Sequence, residues 1–553
     1  MKISVARLIT RKIEHWKVKD VPIFQGGAIM NVLSEIAKSK KIKHYCPYHE
    51  QALAMGVDAY ARINGFAVGL VTSGPGATNL TTGIACSYYD SVPSIYFTGQ
   101  VGQFHIKGKR KVRQRGFQES DIVSLLKPIT KFCYQIQDPL EADYILDKAY
   151  HLATTGRPGP VVIDVPFNIQ KSLIEEKKLK KFKAKKVIYN KRALIKKALN
   201  NIQSSTKPLI VAGGGLRIGK HENEFHRFIN KNKLPFITTW PAQDITESKN
   251  ILYFGSAGRH AHLSATNLAK EAETILTLGV RFSPKILANN FGKNAKIFAV
   301  DIDNGELNEG LIKPDIKINC SLSHFFINQN KKPMKKKEEW LKNCTLEKIN
   351  NYRNFTKLKK NEINRYVNPY QFTESLSKLV NDDAVLLTDA GTNLTFFMQA
   401  FQTKKKQRVI SAWGNSPMGY SVAAGIGAKI ANKKRQVISL IGDGSFLINL
   451  QELQFIKFNK TPLKIVIYDN KVFGNTKIGC KEYKIKSIGN DREGGYYSPE
   501  VKKIAKAFDI KYFYLKNNIN EEKKVSDFLN YKGSSILHLN INKNHKLIEH
   551  AVK

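Results

Sequence analysis

Short apolar runs alternate with helix-like stretches along the whole chain. Ala67–Thr72, Ser94–Thr98, Pro160–Val165, Pro208–Ala212, Ile275–Leu278 and Ile297–Val300 are such runs in the first two-thirds. Ala384–Leu387, Val437–Ile441, Leu463–Tyr468 and Ser535–Leu539 continue the series. Continuous apolar runs of this length suit strands covered on both faces, as in parallel sheets. Glycine-rich turns follow several of them, as in α/β units whose ligands meet the carboxyl ends of the strands. The pattern predicts an α/β protein of three doubly wound parallel-sheet domains.

Two stretches break the rhythm. Residues 171–186 are polar and basic, and residues 328–337 are similar and contain Pro333. Read as linkers, they leave domains at about 1–172, 187–328 and 365–553. Between the last two, residues 338–367 read as a helical connector, because Trp340, Leu341, Leu346, Ile349 and Tyr352 recur at helical spacing.

Composition narrows the class. A hydrophobic share of 42% over 553 residues builds ordinary cores and excludes a disordered chain. A formal charge of +43 first suggests nucleic acid or an anionic membrane. Lysine is spread everywhere, however, with its densest runs at 177–186, 331–337 and 404–406. No zinc-finger spacing, basic zipper or RNA-recognition signature accompanies it, so nucleic acid is not an expected partner. The six cysteines form no CxxC pair, which points to reduced thiols. The N-terminal stretch lacks an apolar signal core, and no apolar run approaches ~20 residues. A cytoplasmic protein without a membrane span is expected.

Chemistry concentrates near the C-terminus. The run Val437–Ile441 ends in Gly442-Asp443-Gly444-Ser445, followed by a helix-like segment over 446–457. Glycines at a strand end let backbone N–H groups approach a diphosphate, and an aspartate there can hold Mg²⁺ through hard oxygen ligands. Asn470 closes the next strand, one strand–helix–strand step later, and the Val472 carbonyl could supply a third oxygen. Taken alone, the tetrapeptide reads equally well as a capped turn.

These residues resemble the diphosphate motif of thiamine-diphosphate-dependent enzymes. The other half of such a site would be Glu50, in Pro47-Tyr48-His49-Glu50-Gln51, with the companion segment 72–79 (TSGPGATN) after the run Ala67–Val71. The resemblance covers nearly the whole chain and is closest to the acetolactate synthase (acetohydroxyacid synthase) large subunit. Segments 24–28 (FQGGA), 117–122 (FQESDI), 389–393 (DAGTN) and 417–419 (PMG) all match in place. It implies that Glu50 is the cofactor-activating acid, sharing a proton with the aminopyrimidine ring, and that Gln100, Phe117 and Gln118 line the reaction pocket. His49 reads as local structure. Met418 would lie beneath the bent cofactor. Further cofactor contacts are implied at Gly27, Ser73, Asn79, Gly391, Thr392, Asn393, Gly442, Gly444, Ser445, Phe473 and Gly474. Asp443, Asn470 and Val472 would hold Mg²⁺.

Three departures stand out. Phe167 follows Asp164-Val165-Pro166 where synthases of the family carry lysine. Asn319-Cys320-Ser321 replaces an acidic residue that helps to place FAD, although Gly213–Gly215, Arg281 and Asp301-Ile302-Asp303 resemble the flavin-domain pattern; FAD stays open, and in the family it would be structural. Residues 102–116 form an enlarged basic segment, either a solvated loop or a grip on an anionic acceptor. The whole pattern also resembles synthase-like proteins of surface-polysaccharide pathways.

The expected activity is thiamine-diphosphate- and Mg²⁺-dependent decarboxylation of a 2-keto acid, pyruvate first, with carboligation to an acceptor carbonyl. Alternatives are two-carbon transfer to a nucleotide-linked keto-sugar, simple decarboxylation, or a basic binding protein that keeps the fold without activity. A nicotinamide dehydrogenase is excluded, because Gly213–Gly215 lacks GxGxxG spacing and the acid beyond it. The resemblance implies a homodimer or homotetramer.

Overall fold

The apolar runs become central strands of three parallel sheets in the computed structural model, which describes residues 2–185, 187–258, 260–283, 291–330, 332–351 and 362–548. In the first domain the order is Ala67–Val71, Ser94–Gln100, Pro160–Pro166, Phe132–Gln135. The parallel pair Asp20–Pro22 and Lys43–Tyr45 extends it, because Ile23 bridges Leu70 and the Phe24 N–H donates to the Leu70 carbonyl at 2.8 Å. The central sheet orders Tyr253–Ser256, Phe236–Thr238, Pro208–Ala212, Thr274–Leu278, Lys296–Asp301, Ile316–Asn319. The last orders Arg408–Ile410, Val385–Thr388, Val437–Gly442, Leu463–Asp469, Ser535–Asn540, Lys511–Leu515.

The strands that the apolar pattern misses lie at or next to sheet edges and have three to five residues. These short strands are interrupted by polar or glycine positions, as at Gly255, Lys317 and Arg408, so no continuous apolar run stands out. The polar stretch 171–186 is also more structured than a linker. Leu173–Glu175 pairs antiparallel with Lys2–Ser4, and Ile174 and Leu179 are buried. Main-chain pairing with the start of the chain supplies what side-chain periodicity lacks. The connector helix runs Glu338–Asn351; Tyr352, like Lys186 and Lys331 of the basic runs, lies outside the described residues.

The first and last domains meet through two helices, Glu50–Asn64 and Tyr420–Ala431. A Cβ on Gly427 would lie 2.0 Å from the Gly56 carbonyl oxygen, so only glycine lets the backbones approach this closely. Beside this crossing, Asp58 accepts from Arg62, Ser87 and Tyr420, and Arg62 also reaches Asp90 at 2.7 Å. Asp90 accepts the Trp413 and Gly414 amides at 2.7 and 2.9 Å, which fixes the loop leading to Met418.

The helix expected over 446–457 is broken. Asp443–Phe446 and Glu452–Phe458 are helical, and Asn449 between them is left-handed with φ 67°. Asparagine tolerates that conformation, and its side-chain amide donates to the Gly419 carbonyl at 3.1 Å.

Candidate active site

Glu50 opens its helix at the first domain's centre, directly after the cap His49, whose Nδ1 accepts the Gln51 amide at 3.0 Å. His49, read from the sequence as local structure, is a cap on this helix. The Glu50 carboxyl is buried, and its Oε2 accepts from Asn79 Nδ2 at 3.0 Å. Asn79 sits at the end of the short helix Pro75–Thr78, which follows the Ser73-Gly74 turn beyond strand Ala67–Val71. Gly74 has φ 55°, and a Cβ there would press to 3.0 Å from the Gln118 carbonyl. Gln118 itself has φ 60° and lies on this turn. Gly27 lies one residue past Gly26, which packs on Thr72, and the Ala28 amide donates to Thr72 Oγ1 at 3.3 Å. Thus Gly27, Ser73, Asn79, Glu50 and Gln118 are assembled around one strand end.

Gln100 and Phe117 are placed differently. Gln100 is 1% exposed, and its amide is engaged by the Ser120 carbonyl, by Asp164 and by the Val101 N–H. Asp164 is fully buried, which pushes it up to about 6 against hydrogen bonds from Gln135, Thr98 and Gln100. Phe117 is 86% exposed in the single chain. Phe167 opens a short helix, Phe167–Lys171, and the Lys171 ammonium lies 4.4 Å from its ring centre.

The second half of the site lies at the carboxyl ends of the last sheet's central strands. Asp443 follows strand Val437–Gly442 and is buried. Strand Leu463–Asp469 ends beside it, placing Asp469 close enough to raise Asp443: burial is the larger cause and the charge of Asp469 the next. His538 Nε2 and Ser498 Oγ, each 2.9 Å from Asp469, help to hold it below the usual carboxylate range although burial opposes this. Asn470 follows, with its Oδ1 accepting the Val472 amide at 3.3 Å. Gly474 is confined by Thr392 and Asn470, and a Cβ on Gly444 would meet the Phe473 ring at 2.2 Å. Ser445 is buried in the same turn.

Neighbouring turns complete this half. Gly391, with φ 121°, caps the helix Thr392–Ala400, and Asn393 donates to the Asp389 and Leu440 carbonyls. Asp389 accepts the Gly419 and Ser421 amides at 3.1 and 2.8 Å, setting the turn that carries half-buried Met418. Burial pushes Asp389 up to about 6.

Four residues here escape the motif reading. Asp469 precedes Asn470 and shares its corner with Asp443. Tyr496 donates to Asp443 Oδ2 at 2.8 Å and packs on Phe473 with ring centres 4.2 Å apart. Asn449 and Glu452 reach the Glu50 turn: Gln51 Nε2 lies 3.4 Å from Asn449 Oδ1, and Glu452 Oε1 accepts the Tyr48 amide at 2.9 Å. The Asx-type φ of Asn449 has no spacing signature. Glu452, nine residues past Asp443, reads in sequence as an ordinary first-turn acid.

Three family models match in chain order. They are the N-terminal TPP binding domain of thiamine pyrophosphate enzymes over residues 3–125, the central domain over 195–326, and the C-terminal TPP binding domain over 389–539. The chain belongs to the thiamine pyrophosphate enzymes. Within the family it is similar to proteins named acetolactate synthase large subunit. That of Lactococcus lactis is 31% identical over 524 residues, covering 93% of this chain and 88% of the relative. The probable large subunit of Methanocaldococcus jannaschii is 32% identical over 533 residues, covering 92% and 86%. That of Porphyra purpurea is 31% identical over 537 residues, covering 94% and 89%. The chain is therefore an acetolactate-synthase-like enzyme that uses thiamine diphosphate, and the reading of a binding protein without activity falls away. No helix among the described residues is long and apolar enough to cross a membrane.

Proposed function

We propose that this thiamine pyrophosphate enzyme decarboxylates a 2-keto acid, pyruvate first, and joins the remaining two-carbon unit to an acceptor carbonyl. The observation that carries the reading is a pair of buried acids, Glu50 held by Asn79 and Asp443 crowded by Asp469. Thiamine diphosphate, when bound, supplies the electron sink for loss of CO₂. Glu50 holds the proton exchanged with the cofactor's pyrimidine ring, and Asn79 fixes the orientation of its carboxyl. The donor set of the second half suits Mg²⁺. Asp443, Asn470 and the Val472 carbonyl offer hard oxygens, and a divalent cation would relieve the repulsion between Asp443 and Asp469. Gly442, Gly444 and Ser445 would face the diphosphate, with Gly391–Asn393 and Gly474 beside them, and Met418 would bear on the cofactor. Radiolabelled CO₂ release from pyruvate, dependent on both thiamine diphosphate and Mg²⁺, tests the reading; release that persists with either left out, or no release with both present, would defeat it.

A cavity of about 650 Å³ lies away from these acids, where all three domains meet. Its volume suits a small-molecule site, commonly about 300–1,000 Å³. Gly214, Gly215, Arg281, Asp301 and Ile302 line it, together with Arg157 and Arg408 from the flanking domains. These residues fit FAD, held structurally. Asp303 is turned toward Arg157 at 2.9 Å, which ties the first domain to the cavity's rim. A flavin absorption band that survives gel filtration is the expected result, and a colourless active enzyme would remove FAD from the reading.

A homodimer is proposed for the assembly. The Phe117 ring, exposed in the single chain, is placed where a second chain could cover it. Mixing two inactive variants, one at Glu50 and one at Asp443, should restore activity if each site draws on two chains. The free cysteines suit a reducing compartment such as the cytoplasm.

A further inference from the structure

Most of the basic runs flagged by composition are at least partly neutralised. In the segment 171–186, Lys178 lies 3.5 Å from Glu175 and Lys181 lies 2.7 Å from Asp143. Lys404 lies 3.0 Å from Asp382. The segment 107–115 is different. Lys107, Lys109, Arg110, Lys111, Arg113 and Arg115 put six cations into nine residues. Among the described residues, none of the six has an ion pair within 4.0 Å.

The one buried acid of this segment explains both its shape and its uncompensated charge. Glu119 Oε1 accepts the Lys107 amide at 2.5 Å, and its Oε2 accepts the Arg115 and Gly116 amides at 2.8 and 3.4 Å. Burial opposes its charge, yet these backbone bonds hold its carboxyl below the usual range. The carboxylate therefore folds the main chain and leaves Lys109, Arg110, Lys111 and Arg113 exposed, with Lys107 and Arg115 half-buried. Arg115 lies over the Phe104 ring at 4.5 Å, and Asn168 fastens the start of the segment by accepting the Gln103 amide at 2.9 Å. Self-repulsion among six cations favours dispersal, so a fold that gathers and braces them suits a polyanion.

Position completes the case. The segment ends at Phe117 and Gln118, and Gln118 rests on the Gly74 turn that leads to Asn79 and Glu50. The side chain after Pro166 is Phe167, and the Lys171 ammonium stands over its ring at 4.4 Å.

We propose that residues 107–115 bind the phosphate or diphosphate group of the acceptor, so that the second substrate of the carboligation is a phosphorylated carbonyl compound. Arginine forks and lysine ammonium groups suit phosphate oxygens. Six cations exceed what one carboxylate would need. The inference rests on the carboligase reading and extends it to the acceptor's class.

The test uses the enzyme loaded with thiamine diphosphate and excess Mg²⁺, with uridine diphosphate as the probe and uridine as the control. The comparison variant is Lys109→Ser/Arg110→Ser/Lys111→Ser/Arg113→Ser, all exposed positions. Calorimetry should show uridine diphosphate binding at least ~10-fold more tightly to the natural protein than to the variant, with uridine binding to neither. With pyruvate as donor and as stand-in acceptor, the probe should lower the ratio of acetolactate to CO₂ at least ~3-fold in the natural protein only. Equal binding to both proteins, no binding, or an unchanged ratio would overturn the proposal. So would loop-dependent binding to anionic vesicles or single-stranded DNA in place of uridine diphosphate. CO₂ release, followed in parallel, separates the two readings: its absence defeats the carboligase, whereas its presence with indifference to the probe defeats only the phosphate site.

Discussion

The Tyr48 amide donates to the Glu452 carboxyl at 2.9 Å, so the turn presenting Glu50 is held by the helix that follows Asp443. One buried side chain thus ties the Glu50-bearing turn of the first domain to the last domain of the same chain. Burial pushes Glu452 up to about 8, and hydrogen bonds from the Tyr48 and His49 backbone only partly offset it. The folded state therefore holds this proton more tightly than the unfolded state does. Linkage then lowers stability as pH rises from the unfolded carboxyl range to about 8, and the loss levels off above it. Glu452→Gln removes the titration. Melting curves from pH 5 to 9 should show the variant gaining on the natural protein up to about pH 8. A difference that does not change with pH would show that Glu452 is not the titrating group.

Glu50→Gln keeps the size and the Asn79 neighbour of the side chain but removes its exchangeable acid. CO₂ release from pyruvate should fall by ~10²–10⁴-fold, the usual worth of a positioned acid–base group. Circular dichroism should show the fold intact. Full activity in this variant would reassign the proton to another group.

Asp443→Asn removes one charge from the corner shared with Asp469. Titration calorimetry should show Mg²⁺-dependent binding of thiamine diphosphate weakened by at least ~10-fold. An affinity equal to that of the natural protein would move the metal elsewhere.

Gly427→Ala places a methyl group 2.0 Å from the Gly56 carbonyl and must force the two helices apart. Urea denaturation should show a loss of ~1–3 kcal/mol or more. Gly479 is the matched control: it is also helical, and a Cβ there meets nothing within 4 Å. Gly479→Ala should be neutral or slightly stabilising.

Asp244 joins the central and last domains by accepting from Arg217, Arg408 and the Val409 amide. Asp244→Ala leaves two largely buried guanidinium groups without their shared carboxylate. A loss of ~3–5 kcal/mol is expected from calorimetric melting. A smaller loss would mean that water or Glu222 compensates.

The chain by itself determined the three α/β layers and where along them the proposed site residues fall. Strands such as Val437–Gly442 and Leu463–Asp469 are buried on both faces, so their apolar runs are continuous and visible. Asp443 and Asn470 close those strands, and Glu50 opens a helix, so local order already places them. Tertiary structure alone decided the rest. Asn449 and Glu452 matter through contacts with Gln51 and Tyr48, about 400 residues away in sequence. Gly56 and Gly427 become necessary only where two backbones cross. The basic residues 107–115 differ from other lysine runs in that their acidic neighbour, Glu119, is bound to main-chain amides rather than ion-paired to the cationic side chains, and such neighbours are fixed by folding. Periodicity reports which face of an element is covered; which groups then meet is settled by packing between elements distant along the chain.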